Sequence, residues 1–472
     1  MSRLSGFDPP PEQSEALLAQ VGELVEELVT TAADRPVLGN PSGSELVPDL
    51  LDQRPGEDPA ELETVLAQVR EVLATGVDNA SGGDLAYIPG SGLLTAALGD
   101  LIASLANRYT GLAGFSPAAV ALELGVLRWL TELFGLPERA QGLLLSGGSA
   151  ANLTAIVTAR EKHAPDRVQR ATIYTGAHAH ASVRKAARIA GIPNGQVRVC
   201  GASDGLHLDP REVEVRIKQD LHDGLLPIAI VGAAGTTNTG SIDPLPALAD
   251  LAAAFGTWFH VDAAYGGFFV LSDRGRERLR GIERADSITL DPHKSLFLPF
   301  GTGALLVRDE RDLQRAFAQT GDYLRDLDAD DALPDFSELT PELTRAWRGL
   351  RLWLPLRLHG VQAFVDALDD KLTLARRAWE RLEADGRVRT WGPPDLSVVT
   401  FRAHGGDALQ DRLLARVNAH GRVRLSSTVL DGEVALRLAV LSHRTTTGDV
   451  EGAVALLADS LDALGVGEGP AA

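Results

Sequence analysis

Trp258-Phe259-His260-Val261-Asp262-Ala263-Ala264-Tyr265, followed by Ser287-Ile288-Thr289-Leu290-Asp291-Pro292-His293-Lys294, decides how this chain folds. Each stretch opens on a short run rich in apolar and β-branched residues and closes on residues that can do chemistry. Runs this short and this apolar suit strands covered on both faces. Their polar endings mark the carboxyl edge of a sheet, where open α/β folds gather reactive groups. Gly142-Leu143-Leu144-Leu145, Ala171-Thr172-Ile173-Tyr174 and Pro227-Ile228-Ala229-Ile230-Val231 extend the series upstream, separated by alanine-rich helical stretches. From about residue 140 to 310 the alternation predicts a mainly parallel sheet flanked by helices.

On either side the texture changes. Leu17, Leu18, Val21, Leu24, Val25, Leu28 and Val29 recur at helical spacing, and Asp58 to Leu73 repeats the pattern with Pro59 placed to open a helix. A connection rich in Pro, Gly and Ser, Pro36 to Pro48, lies between them. This front section predicts a helical arm with little core of its own, resting on another surface, for which a partner subunit is the natural candidate. Beyond residue 345 a long helical segment leads to two strand-like runs, Leu396–Phe401 and Val434–Ala439, and a last helix from Thr447 to Leu464. The expected division is an arm over 1–86, a large α/β domain over 87–345 and a small α+β domain over 346–472, with Gly467 to Ala472 as a loose tail.

Composition narrows the partners. The 472 residues are 44% hydrophobic and 23% charged, as in ordinary soluble proteins, with a formal charge of −19. That charge argues against nucleic acid or an anionic membrane surface as a partner. A single cysteine, Cys200, excludes an intrachain disulfide and a cysteine-based metal cluster. The first ten residues lack a signal-peptide core, and no apolar run approaches the roughly 18 residues of a membrane helix, so a cytoplasmic protein is expected.

The candidate site gathers residues that stand directly after the strands. Ser146-Gly147-Gly148-Ser149 precedes a helix starting near Ala150, and a glycine turn at a helix N-terminus suits an anion, with the Ser149 hydroxyl as a further donor. His180 follows the Ile173-Tyr174 run and offers a flat ring for stacking, with His178 close enough to compete for that assignment. Gly235-Thr236-Thr237 follows Ile228–Val231, where the threonine hydroxyls either bond a ligand or cap a turn. Asp262 ends its strand as a carboxylate that is costly to bury without a partner, and a protonated ring nitrogen would be one. Lys294 follows the next strand, where a desolvated amine gains nucleophilicity.

With Ser116-Pro117-Ala118, Glu123, the Gly147–Asn152 turn, Ala179-His180, Gly235-Thr236-Thr237, Asp262-Ala263-Ala264-Tyr265 and Pro292-His293-Lys294 in this order, the chain resembles the group II pyridoxal 5′-phosphate (PLP) dependent amino-acid decarboxylases from about Tyr87 to His443. The resemblance implies fold type I, a homodimer with shared sites and the decarboxylation of an L-amino acid to an amine. It makes Lys294 the Schiff-base lysine, Asp262 the partner of the pyridine nitrogen and His180 the stacking ring. Gly148, Ser149 and His293 would hold the phosphate, and Thr237 the ring's 3-hydroxyl side or His180. Tyr323, in Gly321-Asp322-Tyr323-Leu324, would reprotonate the substrate carbon from a mobile loop, unless it is merely an exposed tyrosine. Another PLP reaction on the same fold, oxidative deamination to an aldehyde or transamination, is the nearest rival, and a non-catalytic protein that kept the fold is a remote one.

Two departures bear on substrate. Ala80–Ala86 stands where aromatic-acid members carry a His-Pro pair and aromatic residues, leaving Tyr87, Ile88 and Tyr109 to line an apolar pocket. Arg108 is a further candidate, for an acidic substrate side chain or a structural role. Asp291 joins the cofactor set in place of a common asparagine, and its carboxylate would repel a phosphate unless it turns away or is bonded.

Overall fold

A computed structural model describes residues 7–39, 43–54, 57–202, 205–319 and 333–468. Its centre is a seven-stranded sheet of β1 (Gln141–Leu145), β2 (Ala171–Gly176), β3 (Val197–Cys200), β4 (Leu226–Ala233), β5 (Trp258–Asp262), β6 (Ser287–Leu290) and β7 (Gly303–Val307), in the order β1-β7-β6-β5-β4-β2-β3. β7 pairs antiparallel with both neighbours, whereas β3, β2, β4, β5 and β6 pair in parallel. All five apolar runs are strands. β4, β5 and β6 are buried almost throughout because helices cover both faces, and β5 ends at Asp262 with no turn between strand and carboxylate.

β3 and β7 are the strands the apolar runs pass over. β3 is an edge strand, partly exposed, whose Arg198 reaches across to Asp220 at 2.6 Å. β7 begins at Gly303, where a Cβ would fall 2.5 Å from the backbone of Gly147. The glycine lets β7 slide behind the turn that opens the site.

The second sheet holds β8 (Val388–Thr390), β9 (Val398–Ala403), β10 (Ser426–Leu430) and β11 (Glu433–Ala439), antiparallel in the order β10-β11-β9-β8. Asp431 (φ 50°) and Gly432 (φ 82°) join β10 to β11 in a two-residue turn with both φ positive, which matches the twist of the strands it joins. The helix Gly349–Glu383 links the two sheets and breaks at Gly360, whose φ of 73° no helix can hold. A core of its own, with Phe401, Leu436, Leu438 and Leu457, lies under the small sheet. Leu85 from the front of the chain packs into that core.

The front section differs from expectation in two details. A helix, Gly43–Asp52, occupies much of the expected connection and carries Pro48 inside it. The next helix starts at Leu62, so Pro59 stands ahead of it. Pro11–Thr30 buries Leu24 alone, and Leu62–Leu73 buries nothing. Among the described residues no helix is long and apolar enough to cross a membrane.

One buried ion pair locks the large sheet to the linking helix. Glu123, from the helix Pro117–Leu133, meets Arg345 at 2.5 Å with both side chains fully buried, and its other oxygen accepts the Gly349 amide at 3.1 Å. Arg345 also donates to the Leu144 carbonyl and lies over the Phe336 ring.

Candidate active site

At the carboxyl ends of β1, β2, β4, β5 and β6 the chain encloses a cavity of about 500 Å³. Ten of the expected residues line it: Tyr87, Ile88, Gly148, Ser149, His180, Thr237, Asp262, Asp291, His293 and Lys294. Tyr109 does not. Its hydroxyl donates to the Leu343 carbonyl at 2.8 Å and its ring meets Phe115 edge-on, so it belongs to packing around residue 343. Arg108 is exposed and outside the lining. Tyr323 lies outside the described residues. His178 bonds Gly205 and Asn238 and is not part of the lining, so of the two histidines in Ala177–His180 it is His180 that faces the cavity.

Lys294 sits in the first turn after β6, Pro292–Ser295, and its Nζ lies 2.8 Å from Asp291 Oδ2. The carboxylate that departs from the family pattern is therefore bonded on one oxygen. Its Oδ1 is buried with no hydrogen-bond partner and can still accept from a donor. His293 donates from Nδ1 to the Thr302 carbonyl at 2.6 Å, and burial lowers its pKa, so the ring is neutral and turns Nε2 toward Asp291 at 3.7 Å.

Asp262 is 9% exposed, and two donors hold its carboxylate: the Asn152 amide on Oδ2 at 2.8 Å and the Ala264 backbone on Oδ1 at 3.2 Å. Hydrogen bonds to the charged form stabilise it against the cost of burial. His180 caps the helix Ala181–Ile189, its Nδ1 accepting from the Ser182 amide and hydroxyl.

Gly148 opens a 16-residue helix, Gly148–His163, and a Cβ there would lie 2.9 Å from Asp291 Oδ2 and 3.2 Å from Ala264 Cβ. The first amides of a helix have no partner within it and attract an anion. An amine, a held carboxylate, a flat imidazole and a free helix N-terminus thus face one space. This donor set fits PLP: Lys294 for its aldehyde, Asp262 for its ring nitrogen, and Gly148 and Ser149 for its phosphate.

The other wall is built differently. Tyr87 takes a φ of 54°, unusual for a tyrosine, and is 63% exposed. Ser426 Oγ accepts its amide at 3.0 Å, and Arg437 donates to the Thr237 carbonyl at 2.7 Å and the Tyr87 carbonyl at 3.3 Å. Burial presses Arg437 down to about 10, since no carboxylate answers it among its described contacts. Sequence reasoning does not single out Asn152, Ser182 or Arg437. Strand alternation turns Arg437 away from Leu436 and Leu438 and onto the face of Ala435 and Ala439, and a charge inside so apolar a run is the one signal that points to it.

Comparison with known proteins agrees with this geometry. Residues 45–404 match the pyridoxal-dependent decarboxylase conserved domain. An aromatic-L-amino-acid decarboxylase of Bacillus atrophaeus is 33% identical over 84% of both chains. An L-2,4-diaminobutyrate decarboxylase of Rhizobium meliloti (strain 1021) is 38% identical over 70% of this chain and 68% of its own. The crystal structure of Oryza sativa TDC with PLP and tryptamine superposes with a TM-score of 0.92 at 27% identity, covering 97% of this chain and all of that one. The chain belongs to the pyridoxal-dependent decarboxylase family and is a PLP-dependent amino-acid decarboxylase.

Proposed function

We propose that this enzyme decarboxylates an L-amino acid with a bulky, preferentially aromatic side chain, releasing the amine and carbon dioxide. The lining of the cavity carries this reading. Tyr87 and Ile88 give it an apolar wall, and both of its carboxylates are already engaged, Asp262 by Asn152 and Ala264 and Asp291 by Lys294. For the second ammonium of a diamino acid the described lining offers only Asp291 Oδ1, on a carboxylate already paired with Lys294.

Bound PLP supplies an electron-withdrawing ring that accepts the electron pair left behind as carbon dioxide departs. The chain's residues make that possible. Lys294 would provide the amine that attaches the cofactor and gives way to the substrate amine. Asp262, its carboxylate held in place by Asn152 and Ala264, would face the ring nitrogen. His180 would lie against the ring, and the helix N-terminus at Gly148 and Ser149 would hold the phosphate. Tyr323 delivers a proton to the substrate Cα after the carboxylate leaves.

The working unit we propose is a homodimer with shared sites, divided into an arm (1–86), a large domain (87–345) and a small domain (346–472). Its support is the apolar surface the front helices leave uncovered, including Leu18, Val25, Leu50, Leu51, Val69 and Leu73. An active monomer in solution would overturn it.

Product analysis by mass spectrometry, under air and with a panel of L-amino acids, tests the reaction. Amine from aromatic members supports the proposal. Amine from diaminobutyrate alone would overturn the side-chain class, and aldehyde with ammonia would replace simple decarboxylation by oxidative deamination. Tyr323→Phe is expected to lose most amine formation, and an unchanged rate would remove Tyr323 from the mechanism.

A further inference from the structure

Asn152 sits where the hydrogen bonds of the cofactor wall cross. Its Nδ2 donates to Asp262 Oδ2 and to Ser182 Oγ, both at 2.8 Å, and its Oδ1 lies 2.9 Å from His260 Nε2. The residue is 1% exposed, so each of these atoms depends on its protein partner. The amide has one workable orientation, because the reverse would set Oδ1 against the Asp262 carboxylate.

That orientation fixes every proton along the line. His260 must donate from Nε2 to Asn152, which leaves its Nδ1 to accept from Ser287 Oγ at 2.8 Å, while Ser287 accepts from Trp258 Nε1 at 2.7 Å. Burial lowers the His260 pKa, which agrees with a neutral ring. On the other arm Ser182 accepts from Asn152 and so turns its own proton to His180 Nδ1, 2.6 Å away. The Ser182 amide points at the same nitrogen at 3.2 Å. His180 is thus held with Nδ1 bare and its proton on Nε2.

We propose that Asn152 is the positioning residue of this site: one carboxamide holds the Asp262 carboxylate for the ring nitrogen and, through Ser182, sets the tautomer of the stacking His180. The inference rests on the PLP site but not on the substrate assigned above. Among the described residues the other titratable groups facing this region are Tyr87, Tyr265, Asp291, His293 and Lys294, with Arg184, Lys185 and Arg188 in the adjoining cavity beside His180 and Ser182, and all stay in place in the variants below.

The test is PLP retention by the holoenzyme, read as visible absorbance on dilution and across pH. Asn152→Asp places a second carboxylate beside Asp262, where two like charges share a proton. It is expected to weaken PLP binding roughly tenfold to a hundredfold, the scale of a lost charge-assisted hydrogen bond, and to add a titration to the absorbance. Asn152→Ala should weaken binding without that titration. Ser182→Ala, which spares the Asp262 contact and serves if the others fail to fold, should cost about three- to tenfold. In the Asn152→Ala background it should add nothing further.

Variants that lose thermal stability alone, with PLP affinity and pH profile as in the unaltered enzyme, would overturn the proposal. Weakened PLP binding in an enzyme that makes no aromatic amine would leave Asn152 standing and remove the substrate reading. Amine production with unchanged PLP affinity in the variants would do the reverse.

Discussion

The two walls of the cavity are built on opposite plans. The cofactor wall is drawn from the large sheet itself: Asn152, Ser182 and Asp262 follow its strands and bond one another, and Lys294 pairs with Asp291 beside it. The wall we propose for the substrate, Tyr87 and Ile88, opens a segment, 87–91, that the C-terminal region holds. Ser426 accepts the Tyr87 amide, Arg437 donates to the Tyr87 carbonyl, His443 bonds Ser91 Oγ and Arg444 donates to the Ser91 carbonyl. The first wall is finished within one domain core, while the second depends on how a separate sheet is seated. Common chemistry belongs on the finished wall, and substrate choice can change on the borrowed one without disturbing it.

The largest expected effects break the cofactor wall. Lys294→Ala removes the amine that attaches PLP and should lower turnover by about 10³-fold or more, measured on protein that still folds. Glu123→Ala strikes the support behind that wall. It leaves Arg345 charged, fully buried and without its carboxylate, and should cost about 3–5 kcal/mol in chemical denaturation. If Glu123→Ala unfolded at the same denaturant concentration as the unaltered chain, the large sheet would not rely on that pair.

The two walls were also unequally legible in the sequence. Asp262 and Lys294 stand out because each comes right after a continuous apolar run, and a buried parallel strand leaves little else to read. Asn152 has no such mark. It looks like one more polar residue on a helix, and its importance comes from residues 30 and 110 positions later in the chain. β3 escapes the pattern because an edge strand tolerates Arg198 and an exposed Val199. The helix Gly43–Asp52 escapes it because Pro48 reads as a breaker, although its neighbours hold the turn. Tyr109 reads as a pocket residue by its aromatic ring, but the fold carries its hydroxyl to Leu343. On the substrate wall the deciding contacts join residues about 340 to 350 positions apart, beyond the reach of any local pattern.

Acid should act on the borrowed wall through His443. Burial, with Arg444 and Lys371 next in effect, presses its pKa down to about 3, whereas the unfolded chain takes up that proton near pH 6.5. Between those values the unfolded state binds more protons, so stability falls as pH drops from about 6.5 toward 3, by up to about 1.4 kcal/mol per pH unit for this group. His443→Asn should flatten that slope while keeping a polar partner for Ser91. Denaturation midpoints at pH 7 and pH 5 measure it, and an unchanged slope would assign the acid sensitivity to other buried histidines.

The smallest expected effect separates the walls most cleanly. Tyr87 holds a φ of 54°, where a tyrosine is strained by about 1 kcal/mol and a glycine is at ease. At 63% exposure its ring contributes little packing to the single chain. Tyr87→Gly should therefore change the thermal midpoint by no more than a few degrees, in either direction, and leave PLP affinity untouched, because the cofactor wall does not use it. What it should change is recognition. Without the ring the apolar wall recedes, and KM for the preferred bulky amino acid should rise several-fold, with kcat for bound substrate nearly kept. A matching fall in kcat would mean that Tyr87 acts on the reacting atoms, and the division between a chemical wall and a choosing wall would fail at that residue.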